Sequence, residues 1–103
     1  MKDVILGSLI VGNDRPLTCI AGPCQLEDAD HAMMIARAMK DACAQTGVQF
    51  VFKASYDKAN RTSLSGRRGV GIDAGLQILA DLRAALDVPV LTDVHSPEQA
   101  RRA

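Results

Sequence analysis

The feature that most constrains this chain is a regular exchange between two periods. Apolar runs rich in β-branched residues lie at 17–21, 50–54 and 88–92, and between them apolar residues recur every three or four positions. The runs suit strands, and the longer repeats suit one face of a helix. After the first run, Ala32, Ile35, Ala36, Met39 and Cys43 fall at i, i+3, i+4, i+7 and i+11. This spacing predicts a helix over residues 28–46, with Asp28 as its N-cap and Gly47 as its stop. After the second run, Gly75, Leu76, Leu79, Leu82 and Leu86 predict another helix over 73–86, ended by Asp87 and Pro89. Ser96-Pro97-Glu98 has the form of a third helix start. Residues 4–11 read as two short strands about Gly7-Ser8, a hairpin followed by a Gly12-Asn13-Asp14 turn.

Strands that alternate with helices imply an α/β fold with a parallel sheet, since parallel neighbours need crossover connections that place helices on a face. Three βα units leave such a fold unfinished: a closed eight-stranded barrel takes about 250 residues, and this chain has 103. The pattern stops at Arg101-Arg102-Ala103, inside a helix just begun. We therefore expect residues 1–103 to be a single partial domain.

Composition removes several function classes. Twelve Lys and Arg balance twelve Asp and Glu, so no overall field favours nucleic acid or an anionic membrane. No apolar run approaches the roughly 20 residues that span a bilayer, and the start lacks a sustained apolar segment and a small-residue cleavage site. The expected compartment is the cytoplasm. Cys19, Cys24 and Cys43 have neither C-x-x-C nor zinc-finger spacing, which suits free thiols.

One segment is unlike the rest. Residues 53–71 connect a strand to a helix without an apolar period, far longer than the 2–6 residues usual for such loops. Five of the twelve basic residues fall in it, Lys53, Lys58, Arg61, Arg67 and Arg68, against one carboxylate, Asp57. This is either a solvated charged loop or a site for phosphate or carboxylate, to which Arg offers bidentate contacts and Lys a point charge. Its glycines are spaced G-x-x-G-x-G and follow a loop, so no nucleotide cofactor is implied. Phe50, Phe52 and Tyr56 are the only aromatics, too few for a base-stacking platform.

Ligands of parallel α/β folds lie beyond the carboxyl ends of the strands. There the sequence places Gly22-Pro23-Cys24, then Lys53-Ala54-Ser55, then Asp93-Val94-His95. Alternation puts Lys53 and Ser55 on one side of their strand, and Asp93 and His95 on one side of theirs. Cys24 in its turn is a buried filler, a thiolate metal ligand or a nucleophile. Cys19 and Cys43 fit the filler role. His95 could ligate, exchange a proton or make a polar contact, whereas His31 in a first helical turn fits the solvated surface.

Three blocks in this order, IAGPCQLE, FVFKASYDKANRTSLSGRRGVG and VPVLTDVH, closely resemble the 3-deoxy-D-manno-octulosonate 8-phosphate synthase family. The K-A-N-R-[ST]-S element at 58–63 discriminates, because related synthases that use erythrose 4-phosphate carry K-P-R-[ST] there. The resemblance implies a TIM (β/α)8 barrel of which this chain is the N-terminal part. It also implies condensation of phosphoenolpyruvate with arabinose 5-phosphate, releasing phosphate, in a homo-oligomer, a tetramer. Lys53, Ser55 and Lys58 would hold phosphoenolpyruvate, with Lys58 near the reacting carbons. Asn60, Arg61 and Ser63 would bind the sugar phosphate, and Asp93 and His95 the sugar hydroxyls or aldehyde. Cysteine at position 24 marks the metal-dependent branch, which implies a divalent metal (iron, zinc or manganese) held by Cys24 and by residues absent from this chain. The segment alone would then be inactive. Two other readings remain: a synthase using erythrose 4-phosphate, and a truncated, non-catalytic phosphate-binding module.

Overall fold

A computed structural model describes residues 2–56 and 71–103. An antiparallel hairpin comes first, β1 (Val4–Leu6) and β2 (Leu9–Val11), with Leu6 opposite Leu9. Gly7 turns it with φ +58°, a conformation that glycine adopts without penalty. Then follow β3 (Thr18–Ala21), α1 (Ala29–Thr46), β4 (Gln49–Lys53), α2 (Ile72–Leu86), β5 (Val90–Leu91) and α3 (Pro97–Arg102). Strands β3, β4 and β5 form a parallel sheet in chain order. The chain is an α/β fold.

Local chemistry sets the helix ends. Asp28 accepts from the His31 amide at 2.7 Å, and Gly47 ends α1 in the left-handed region at φ +71°. Asp87 ends α2 at φ +52°, a conformation in which Asp is several-fold enriched. Lys40 of α1 donates through Nζ to the Leu86 carbonyl at 2.5 Å, placing a cation at the negative end of α2. Ser96 caps α3 by accepting from the Gln99 amide at 3.2 Å.

Both long helices pack on one face of the sheet. A single cluster joins Ala32, Ala36 and Cys43 of α1, Leu79, Leu82 and Leu86 of α2, and Phe50 and Phe52 of β4, with Ile35 and Met39 partly buried against it. The other face carries Val51 and Lys53, with Ile20 opposite Val51 and Leu91 opposite Lys53. Ile20 and Leu91 are 53% and 43% exposed there. No helix among the described residues is long and apolar enough to cross a membrane.

The hairpin sits under the amino ends of the strands. Gln49, the first residue of β4, donates through Nε2 to the carbonyls of Ile10 (2.9 Å) and Pro16 (3.2 Å) and to Thr18 Oγ1 (3.0 Å). In the complete protein, Gln49→Ala should lower stability by about 1–2 kcal/mol. It should also raise hydrogen exchange at the hairpin amides while α1 keeps its protection; equal exchange in both proteins would remove Gln49 as the tether.

Three expectations need correction. The third strand, expected over 88–92, is only Val90–Leu91: Pro89 has no amide proton, and pairing with β4 begins when the Pro89 carbonyl accepts from Phe52 at 3.0 Å. Leu76, expected on the buried face of α2, is only partly buried and borders an open groove with Leu79, Ala80, Val90 and Leu91. His31 is half-buried, its Nδ1 3.7 Å from Glu27 Oε2. Cys43 is buried and Cys19 half-buried against the same cluster; burial first, and then Cys19, pushes the Cys43 thiol pKa up.

Candidate functional site

The carboxyl ends of β3, β4 and β5 converge through Ser55. Its amide donates to the Cys24 carbonyl at 3.3 Å, and its carbonyl accepts from Leu26 at 2.8 Å. Parallel pairing thus resumes beyond the named strands, with Gln25 opposite Ser55. Ala21 faces Phe52, so β3 places three residues (Gly22, Pro23, Cys24) where β4 places two (Lys53, Ala54). One extra residue in a strand is a bulge, which bends the chain and re-aims the side chain it carries. Here the bulge carries Cys24, whose side chain is exposed. Gly22 permits the close approach: a Cβ there would run into the Lys53 carbonyl.

On the opposite edge, the register sets the contact. Leu91 pairs with Lys53, so two residues further along each strand Asp93 comes opposite Ser55. The Ser55 hydroxyl donates to Asp93 Oδ1. Asp93 Oδ2 lies 3.2 Å from His95 Nε2. The Ser55 hydrogen bond, above all, holds the Asp93 carboxyl below the usual carboxylate range; burial opposes this, while a backbone hydrogen bond and the charges of Lys53 and His95 add to it. The His95 amide in turn donates to Gln99 Oε1 at 2.7 Å.

Lys53, Ser55, Asp93 and His95 therefore form one cluster, with Cys24 joined to it through its backbone. Lys58, Asn60, Arg61 and Ser63 lie outside the described residues. Where their loop leaves and returns is nevertheless fixed: the Gly71 amide donates to the Tyr56 carbonyl at 3.2 Å, one residue beyond Ser55. Gly75 in the first turn of α2 backs onto Tyr56 so closely that a Cβ there would collide with that of Tyr56. The two residues that flank positions 57–70 therefore meet beside the cluster.

Among the described residues no group of three or more His, Cys, Asp and Glu side chains is placed to hold a metal. Cys24 is a single soft donor, and one thiolate is too few for a bound divalent ion. The described residues do not by themselves fit a metal centre.

Sequence reasoning overlooked Gln49, Gln99, the bulge and the Tyr56–Gly71 clamp. Only Gln99 had a local signal: Ser96-Pro97-Glu98-Gln99 has the S-x-x-Q form of a capping box, in which the fourth side chain folds back on the preceding backbone.

Known proteins resemble this chain along nearly its whole length. The chain is 54% identical over 96 residues to a 2-dehydro-3-deoxyphosphooctonate aldolase of Nitrobacter winogradskyi, covering 93% of this chain and 33% of that protein. It is 55% identical over 96 residues to the protein of the same name from Chelativorans sp., covering 93% and 35%. With that of Methylobacterium radiotolerans it shares 54% over 100 residues, covering 97% and 35%. The chain thus spans about a third of the length of these curated relatives. A family model described as the DAHP synthetase I family matches residues 3–103, nearly the whole chain with the hairpin and all three strand ends, and the chain belongs to that family.

Proposed function

We propose that the whole protein condenses phosphoenolpyruvate with D-arabinose 5-phosphate and water, giving 3-deoxy-D-manno-octulosonate 8-phosphate and inorganic phosphate. The observation that carries this reading is the cluster of Lys53, Ser55, Asp93 and His95 at the carboxyl ends of the strands, with the two residues that flank the basic segment, Tyr56 and Gly71, joined beside it. The name of the relatives, 2-dehydro-3-deoxyphosphooctonate aldolase, supports the eight-carbon product, as does Asn60 within K-A-N-R. This segment forms the first three units of a (β/α)8 barrel. Strands in chain order with both long helices on one face support the barrel, since a doubly wound sheet sends helices to both faces.

The chemistry follows from the charges. Two phosphorylated substrates repel each other until cations stand between them, and positioned cations also stabilise charge on the departing phosphate. Lys53 and Lys58 hold phosphoenolpyruvate; Asn60, Arg61 and Ser63 hold the phosphate of the sugar; Asp93 and His95 orient its hydroxyls and aldehyde. A divalent metal, if the complete protein holds one, would supply Lewis-acid chemistry toward the aldehyde or water. Cys24 would supply one of its ligands, and residues outside this segment the others. The enzyme works in the cytoplasm as a homo-oligomer.

The test is phosphate release by the complete protein with arabinose 5-phosphate against erythrose 4-phosphate, before and after chelation and metal add-back. Turnover of arabinose 5-phosphate that chelation stops and metal restores is expected. Preference for erythrose 4-phosphate would move the enzyme to the related synthases, and no turnover of either would leave only the phosphate-binding module. Arg61→Ala should raise the KM for arabinose 5-phosphate roughly 10- to 100-fold, the weight of a lost charged hydrogen bond. An unchanged KM would remove Arg61 from the site.

A further inference from the structure

Beyond β5 the chain turns from strand to helix, and one side chain reaches back across that turn. Every residue of α3 is exposed except Gln99. The Gln99 amide donates to Ser96 Oγ at 3.2 Å, and its carbonyl accepts from the Ala103 amide at 2.9 Å, so its backbone is committed to the helix. Its side chain is not. In a capping box the residue at this place accepts from the amide of the cap itself, here Ser96, one of the unpaired donors of a helix start. Gln99 Oε1 instead takes the amide of His95, at 2.7 Å, one residue outside the helix. That bond satisfies none of the helix's own orphan donors; it serves the end of the strand.

We propose that Gln99 is a positioning residue for the sugar end of the site, its side-chain oxygen fixing the backbone of His95 and so the direction of the imidazole. This rests on the reading above, in which Asp93 and His95 meet the sugar. The His95 side chain is 42% exposed, too open for packing to hold it. Its direction comes from the backbone it stands on and from Asp93, whose Oδ2 lies 3.2 Å from Nε2. The pairing of β5 with β4 goes no further than Leu91, so the strand ladder stops short of His95, and the bond to Gln99 stands in its place. His95 is thus tied at its ring and at its amide. Release of the amide would let the backbone turn there, and a misplacement of about 1 Å at a positioned group is enough to be felt in substrate handling.

The experiment compares two variants of the complete enzyme. Gln99→Met keeps the length and helix propensity of the side chain but has no strong acceptor, whereas Gln99→Glu keeps the oxygen. Gln99→Met should speed hydrogen exchange at the His95 amide. It should also raise the KM for arabinose 5-phosphate roughly 3- to 10-fold, the weight of one hydrogen bond, and leave the KM for phosphoenolpyruvate within about twofold. Its melting temperature should stay within about 2 °C of the wild type, since Ser96 still caps α3. Gln99→Glu should restore slow exchange and most of the lost affinity. In a His95→Ala background, Gln99→Met should add nothing to the KM, because the group it acts through is gone. Unchanged exchange in Gln99→Met, an unchanged sugar KM despite faster exchange, or losses that simply add in the double variant would overturn the proposal. Should the wild type prefer another aldose phosphate, the reading of function fails on that result alone, and the same split is then measured with that sugar; the exchange readout stands whatever the substrate.

Discussion

Gly22→Ala in the complete protein is expected to cost about 3 kcal/mol of stability and most of the activity. The new methyl would fall on the Lys53 carbonyl, which belongs to the neighbouring strand and cannot rotate aside as a side chain would. Relief requires β3 to draw away from β4, and overpacking of this kind costs roughly 1–3 kcal/mol when the neighbours can adjust. The separation would open at the Ser55–Cys24 hydrogen bond, 3.3 Å in the intact site, and would loosen Ser55 from Asp93. Gly47→Ala is the natural comparison. Nothing lies within 4 Å of the methyl there, and the strain is that of φ +71° alone, about 1–2 kcal/mol. Urea unfolding with steady-state rates on both variants separates the two cases. Gly47→Ala should be weaker but fully active, and a Gly22→Ala enzyme with normal stability and turnover would show that the approach of the two strands is not what the site depends on.

The second large effect is in the core. Phe52 is fully buried in the cluster that joins both helices to the sheet. Truncation to Ala should cost about 3–5 kcal/mol, the lost transfer of the ring plus a cavity that the flanking helices cannot fully collapse. Small domains have only about 5–15 kcal/mol in total, so such a variant should be largely lost to aggregation or proteolysis at 37 °C. Phe52→Leu keeps most of the volume and should cost less than half as much in a thermal melt. Equal losses in the two variants would mean that the ring is held by something other than packing.

Residues 28–47 were legible in the sequence because helix signals are local. The cap, the apolar stripe and the terminal glycine all lie within one segment, and Asp28 and Gly47 stand where they were expected. The strand ends were legible for a similar reason: alternation alone places Lys53 with Ser55, and Asp93 with His95. What joined the two pairs was not legible, because the Ser55–Asp93 bond depends on the register between β4 and β5, a fact about two strands held 38 residues apart. Gln49 is a stronger case. Its side chain binds backbone carbonyls in the hairpin and beyond it, and a backbone carbonyl carries no mark in the sequence. The bulge at Gly22-Pro23-Cys24 was read as a turn, since an extra residue is visible only once the partner strand is in place.

The Tyr56–Gly71 hydrogen bond bears on how such proteins diversify. The two anchors adjoin through one backbone hydrogen bond, so the frame sets the span between them whatever the length of the segment they flank. Closing a longer one is cheap, each doubling of length adding about 0.6 kcal/mol. Insertions, deletions and exchanges between the two anchors can therefore accumulate while β4 and α2 keep their alignment. On the proposed function, a segment transplanted between relatives at these two residues should carry preference among aldose phosphates with it, and β4 and α2 should stay aligned.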